Sequence, residues 1–160
     1  MFHPLIRFVS FVLLFLVTLA TRAEAFPRGC EASGFGYRDN YVVLNPAGNQ
    51  TLFLIRNRAN QSIQLERHET RDIFMSPKLQ SNIAASNWAA FASDEQNLYF
   101  QCQYKDDNNT LVKCSDVLEI CQYPRAKFAL SNMGNYWVST NKTQDAVVKE
   151  SVAKGIYLKW

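Results

Sequence analysis

His68 is the side chain best placed for acid–base work in this sequence. It sits in Glu66-Arg67-His68-Glu69-Thr70-Arg71-Asp72, where carboxylates and cations alternate around a single imidazole. A general base needs a partner that orients it and a pocket that admits substrate. A charged run of this kind is also what the solvated end of a strand carries, and that reading is adopted. A hydrolase centred on His68 with Glu66 stays as an alternative. Arg67, His68 and Arg71 are instead expected to contact a binding partner, together with the terminal Trp160.

Other chemistry finds less support. Asp106-Asp107-Asn108-Asn109 offers four oxygen side chains. A calcium loop would need spaced ligands and a further bidentate carboxylate, whereas a polar turn needs nothing more. The sequence contains no Gly-x-Ser-x-Gly elbow, no glycine-rich phosphate loop and no Cys-x-x-Cys pair. No catalytic residue, metal site or cofactor is therefore expected, and the chain is read as a non-enzyme. Trp88 and Trp137 are assigned to the core, as aromatics of a small β-domain usually are.

Strands must position these residues. Thr51–Asn57 is apolar on both faces, with Phe53 and Ile55 on one and Leu52 and Leu54 on the other. That pattern marks a central strand. Arg58–Ser62 reads as a turn, and Ile63–His68 as a half-buried partner strand that completes a hairpin. Further strands are expected at Tyr41–Leu44, Trp88–Ala92, Asn97–Tyr104, Thr110–Lys113, Val117–Tyr123, Lys127–Leu130, Tyr136–Thr140, Ala146–Lys149 and Ile156–Trp160. Single helical turns are expected after Ser115-Asp116 and within Asn82–Ala90, with a loop over Ser76–Ser86. Many short strands separated by Asn/Gly-rich turns predict an all-β sandwich, immunoglobulin-like in the loose architectural sense. The alternating C-terminus also suits a small outer-membrane β-barrel. Most strands are shorter than the roughly 9–11 residues a membrane-spanning strand takes.

Residues 1–25 read as a leader and not as fold. Arg7 precedes an apolar run from Phe8 to Leu19, and Ala23-Glu24-Ala25 is a small-x-small cleavage signal. The run falls short of the roughly 20 residues of a spanning helix, so no stable membrane anchor is expected. Residues 26–160 then form one domain. Taking Arg7 and Arg22 from 17 bases, and Glu24 from 14 acids, leaves a net charge of +2. The bases are scattered, which excludes an electrostatic nucleic-acid partner.

Cys30, Cys102, Cys114 and Cys121 all lie in the exported part. An even number in a small exported domain predicts two disulfides. Three pairings are possible. A hairpin turning at Lys105–Asn109 would bring Cys102 beside Cys114, leaving Cys30 for Cys121. Four Asn-x-Ser/Thr triplets begin at Asn49, Asn60, Asn108 and Asn141, all in expected turns. They would be glycan acceptors in a eukaryotic secretory route and plain turn residues in a bacterial periplasm.

Phe26-Pro27-Arg28-Gly29-Cys30, Gly34-Phe35-Gly36-Tyr37 and Gly48-Asn49-Gln50-Thr51 resemble the start of the enhanced-entry protein EnhB family of Legionella-type bacteria. Phe74-Met75-Ser76-Pro77-Lys78-Leu79, Cys121-Gln122-Tyr123-Pro124 and Ser131-Asn132-Met133-Gly134-Asn135-Tyr136-Trp137 continue the likeness over nearly the whole exported chain. The resemblance implies a Gram-negative exported protein, periplasmic or secreted, tied to bacterial entry into or survival in host cells. It carries no catalytic residues across and makes the Asn-x-Ser/Thr triplets incidental. The expected function is binding of a protein partner, periplasmic or host, through an open sheet edge and exposed loops.

Overall fold

The computed structural model describes residues 25–38, 41–68, 79–105, 107–110, 113–128 and 135–159. The leader through residue 24 lies outside the described residues, as do Arg71, Trp160 and residues 131–134. Among the described residues twelve strands form: β1 Glu31–Ala32, β2 Phe35–Arg38, β3 Tyr41–Leu44, β4 Thr51–Asn57, β5 Ile63–His68, β6 Leu79–Ile83, β7 Trp88–Ser93, β8 Leu98–Gln103, β9 Leu118–Tyr123, β10 Lys127–Phe128, β11 Asn135–Lys142 and β12 Ile156–Tyr157. An α-helix, α1, covers Gln144–Ala153. Sheet A has the order β1-β9-β4-β7-β11 and sheet B the order β2-β3-β8-β5-β6; β10 and β12 pair as a separate ribbon. The fold is thus an all-β sandwich of two open sheets. The strands do not close into the barrel held as an alternative.

The period of two in β4 sets the layering. Phe53 and Ile55 enter a core shared with Val42, Leu65, Phe91 and Phe100, between the sheets. Leu52 and Leu54 point the other way, into a second core with Trp88, Tyr123, Val147 and Ile156. Sheet A is therefore covered on both faces, by sheet B on one and by α1 and the β10–β12 ribbon on the other. Its central strand β4 buries residues on both faces, and all six residues of β7 are buried. Phe91, Phe100 and Trp137 pack as an aromatic trio, with Phe91 5.2 Å from each of the other two rings.

Two disulfides clamp this stack, Cys30–Cys121 and Cys102–Cys114. The first ties the segment before β1 to the centre of β9. The second ties β8 to a 3-10 turn at Cys114–Asp116; the turn expected after Ser115-Asp116 does not form, because the chain enters β9 at Leu118. The other arm of the expected hairpin does not form as a described strand. Residues 111–112 lie outside the described residues, and Thr110 and Lys113 belong to no strand.

Several expectations are corrected. β4 and β5 are not a hairpin: β4 pairs with β7 and β9, whereas β5 pairs with β6 and β8 in the other sheet. The turn between them is an arch built around buried Asn57. Its Nδ2 donates to Gln61 O at 2.7 Å and Ile83 O at 2.8 Å, and its Oδ1 accepts from Ala59 N at 2.8 Å. Asn82–Ala90 contains no helical turn. It is a second arch from β6 to β7, with Ser86 at φ 63°. Leu79–Ile83 accordingly is a strand, where a loop was expected. Asn141, at the end of β11 with φ 59°, props this arch by accepting from Ala84 N at 2.8 Å and Asn87 Nδ2 at 2.9 Å.

Ala146–Lys149, expected as a strand, lies inside α1. Val147 and Ser151 are its buried residues, one turn apart, and Ser151 Oγ donates to Val147 O at 2.7 Å. Thr143 sits extended at the N-cap, Asp145 lies in the first turn, and Gly155 ends the helix at φ 86°. Lys142 Nζ, 2.7 Å from Glu150 Oε2, holds the Glu150 carboxyl below the ordinary carboxylate range, with help from Ser139.

Tyr123 gives the fold an alkaline limit. It is buried in the second core, donates to Arg28 O at 3.2 Å, and burial pushes its phenol up from 10.0 to about 12. Between those values the unfolded chain releases this proton while the folded chain keeps it, so stability falls as pH rises through the window. Thermal melts should show this fall, and Tyr123→Phe should flatten it relative to the parent. An identical alkaline slope in both would contradict the assignment.

Candidate functional site

The contact candidates named from sequence are not where a solvated strand end would put them. Arg67 has no exposed surface and His68 retains 3%. Alternation places Arg67 on the face of β5 that carries Ile63 and Leu65, so its stem enters the sandwich. Its guanidinium pairs through Nη2 with Glu95 in the β7–β8 loop, which sets a carboxylate against the buried charge. His68 lies on the opposite face, edge-on to Tyr41 with ring centroids 5.8 Å apart. Its Nε2 stands 3.9 Å from Glu66 Oε2, beyond hydrogen-bond length. Arg71 and Trp160 lie outside the described residues. Trp88 is buried and Trp137 packs against the inter-sheet core, as assigned.

The surface that loops do build is a rim at one end of the sandwich. The β3–β4 loop faces the β7–β8 loop across a cleft lined by Pro46, Gly48, Asn49, Asp94 and Glu95. Beyond Asn49 the same loop meets the β9–β10 turn, and a second cleft is lined by Gln50, Arg125, Lys127 and Lys159. The clefts share Asn49, so anionic and cationic lobes adjoin.

The rim is held from below. A Cβ on Gly48 would stand 2.1 Å from Pro124 O, so only glycine lets the two loops approach this closely. Gln122 Oε1 accepts from Ala47 N at 3.2 Å, and Gln50 Oε1 accepts from Phe128 N at 2.9 Å. Ser93 Oγ accepts from Glu95 N at 3.0 Å. Arg67 therefore belongs to this site indirectly, as the buried support of Glu95.

No family model matches the chain, and neither a curated protein nor a solved structure proves similar to it. The site must be read from its own chemistry.

That chemistry is carboxylates and cations set side by side on braced loops. Among the described residues, no group of three His, Cys, Asp or Glu could hold a metal ion. The rim presents fixed charges of both signs on short, pinned loops, the arrangement that steers and orients a partner surface of complementary pattern. Sequence reading missed Asp94, Glu95, Arg125, Lys127 and Lys159. Asp94, Glu95 and Arg125 lie in turns, Lys127 opens β10 and Lys159 follows β12, and no motif joins segments this far apart in the chain.

Proposed function

We propose that the chain is an exported, non-enzymatic accessory protein that acts by binding a protein partner, periplasmic or host, through the loop rim. The observation that carries this reading is the rim itself, where opposite charges adjoin on loops braced by the sandwich. Two buried disulfides support an oxidising compartment outside the cytoplasm. Among the described residues no helix is long and apolar enough to cross a membrane. The likeness of the sequence to the EnhB family supplies the setting: a Gram-negative cell, with a role in entry into or survival in host cells. Catalysis centred on His68 is the weaker reading, because the imidazole is closed from solvent and beyond hydrogen-bond length from Glu66.

The test is affinity capture from periplasm and from host lysate under non-reducing conditions, with the parent chain and an Arg125→Glu/Lys127→Glu variant. A partner held by the parent should bind the variant on the order of tenfold more weakly, with the loss greatest at low salt. Equal capture by both chains would remove the rim from the account. Capture of nothing by either would remove the protein-binding reading.

A further inference from the structure

Beyond buried Tyr41 and His68, the outward face of sheet B across β6, β5 and β8 is built largely of amides. Ile63, Leu65, Ile83, Phe100 and Cys102 point into the core between the sheets. Their strand neighbours must point outward. The registers Gln64↔Asn82 and Gln64↔Gln103 set one row across β6, β5 and β8. Glu66↔Gln80 and Glu66↔Gln101 set a second row beside it. The result is a grid of two rows and three columns, with columns about 4.8 Å apart and rows about 7 Å apart.

This grid is not a routine solvent face. Such faces usually mix charges of both signs, which favour solubility. Here five of the six side chains are neutral amides and none is a cation. Asn82, Gln80 and Gln103 are exposed, and the other three are half-buried. Glu66 Oε1 accepts from Gln64 Nε2 at 2.6 Å and from Gln80 Nε2 at 3.1 Å, so the one carboxylate orients the amides around it. Next along β8 from Gln101 stands half-buried Tyr99, paired in register with His68.

Each amide offers donors and an acceptor at once. The ligand that answers such a surface presents hydroxyls that also donate and accept, at a spacing of a few ångströms and without net charge. A nucleic acid or an anionic membrane would call for cations, and an apolar peptide for an apolar patch. An aromatic edge beside the polar grid suits the C–H face of a sugar ring. From this match we infer that the outward face of sheet B binds an uncharged glycan chain. The site is separate from the loop rim and independent of the protein-binding reading.

The test is a nuclear magnetic resonance titration of the disulfide-intact chain with two neutral probes, a tetramer of N-acetylglucosamine and a tetramer of glucose. Heparin serves as the anionic control. At least one neutral probe should shift the side-chain amide signals of Gln64, Gln80, Gln101 and Gln103 together. Gln80→Ala/Gln103→Ala changes two exposed side chains, so the fold is kept, and should weaken that probe at least tenfold. Arg125→Glu/Lys127→Glu should leave it unchanged. The inference is overturned if neither neutral probe moves these signals, if heparin alone does, or if the amide variant binds as the parent. Concentration-dependent shifts of the same signals without any sugar would assign the face to self-association, and that too would overturn it.

Discussion

Replacing Cys30 and Cys121 together by serine should destabilise the domain by about 4.6 kcal/mol, from the loop-closure entropy of the chain the bridge encloses. Their separation is 91 residues, so the bridge restricts most of the unfolded domain. The same replacement at Cys102 and Cys114, separated by 12 residues, should cost about 2.8 kcal/mol. For a domain whose whole stability is typically about 5–15 kcal/mol, the first loss removes between about a third and nearly all of it. Urea denaturation of the two double variants measures both values. Both pairs are buried, so serine also adds a small cavity and a hydroxyl at each site, and the order of the two effects is the sharper expectation. A larger loss from the short bridge would contradict the loop-closure account.

Asn57→Ala should cost about 3 kcal/mol, because two buried backbone groups and one partly buried one lose their partner at once. The affected groups are Gln61 O, Ile83 O and Ala59 N, all in or beside the arch that carries the chain from sheet A to sheet B. Asn57→Asp should be worse than alanine. It keeps the acceptor for Ala59 N but sets a carboxylate against two carbonyl oxygens without a donor. Denaturant midpoints for the two variants check both statements. An alanine variant within about 0.5 kcal/mol of the parent, the scale of an ordinary surface change, would show that the arch does not depend on this side chain.

These two sites also mark what was legible beforehand. Thr51–Asn57 was readable as a central strand because a β-strand covered on both faces has to be apolar on both. The pairing of Cys102 with Cys114 was one of three possible and was favoured by a hairpin at Lys105–Asn109; the bridge is present, but Cys114 stands in a 3-10 turn and not on a second hairpin strand. Whether the strand after Asn57 stays in the same sheet was not readable. Arg58–Ser62 is polar enough for a hairpin or an arch, and the choice lies with hydrogen bonds from Asn57 to Ile83, 26 residues on.

Helix α1 was misread for a related reason. Ala146–Lys149 is too short for a period of two to be told from 3.6, and only one of its residues, Val147, is buried apolar. Thr143 before the helix and Gly155 after it were the usable signals. Arg67 shows the limit for sites. Its parity along β5 matched that of Ile63 and Leu65, which pointed inward, but its charge argued for water. Glu95, which resolves the conflict, is 28 residues away. The rim depends on such long-range meetings throughout, so no stretch of sequence displays it.

Non-reducing peptide mapping of the protein recovered from envelope and culture fractions is the most direct test of an exported, disulfide-clamped binding domain. The account predicts a chain that starts at Phe26, with Cys30 linked to Cys121, Cys102 linked to Cys114, and no free thiol. An intact leader on a cytoplasmic chain with four reduced cysteines would contradict it.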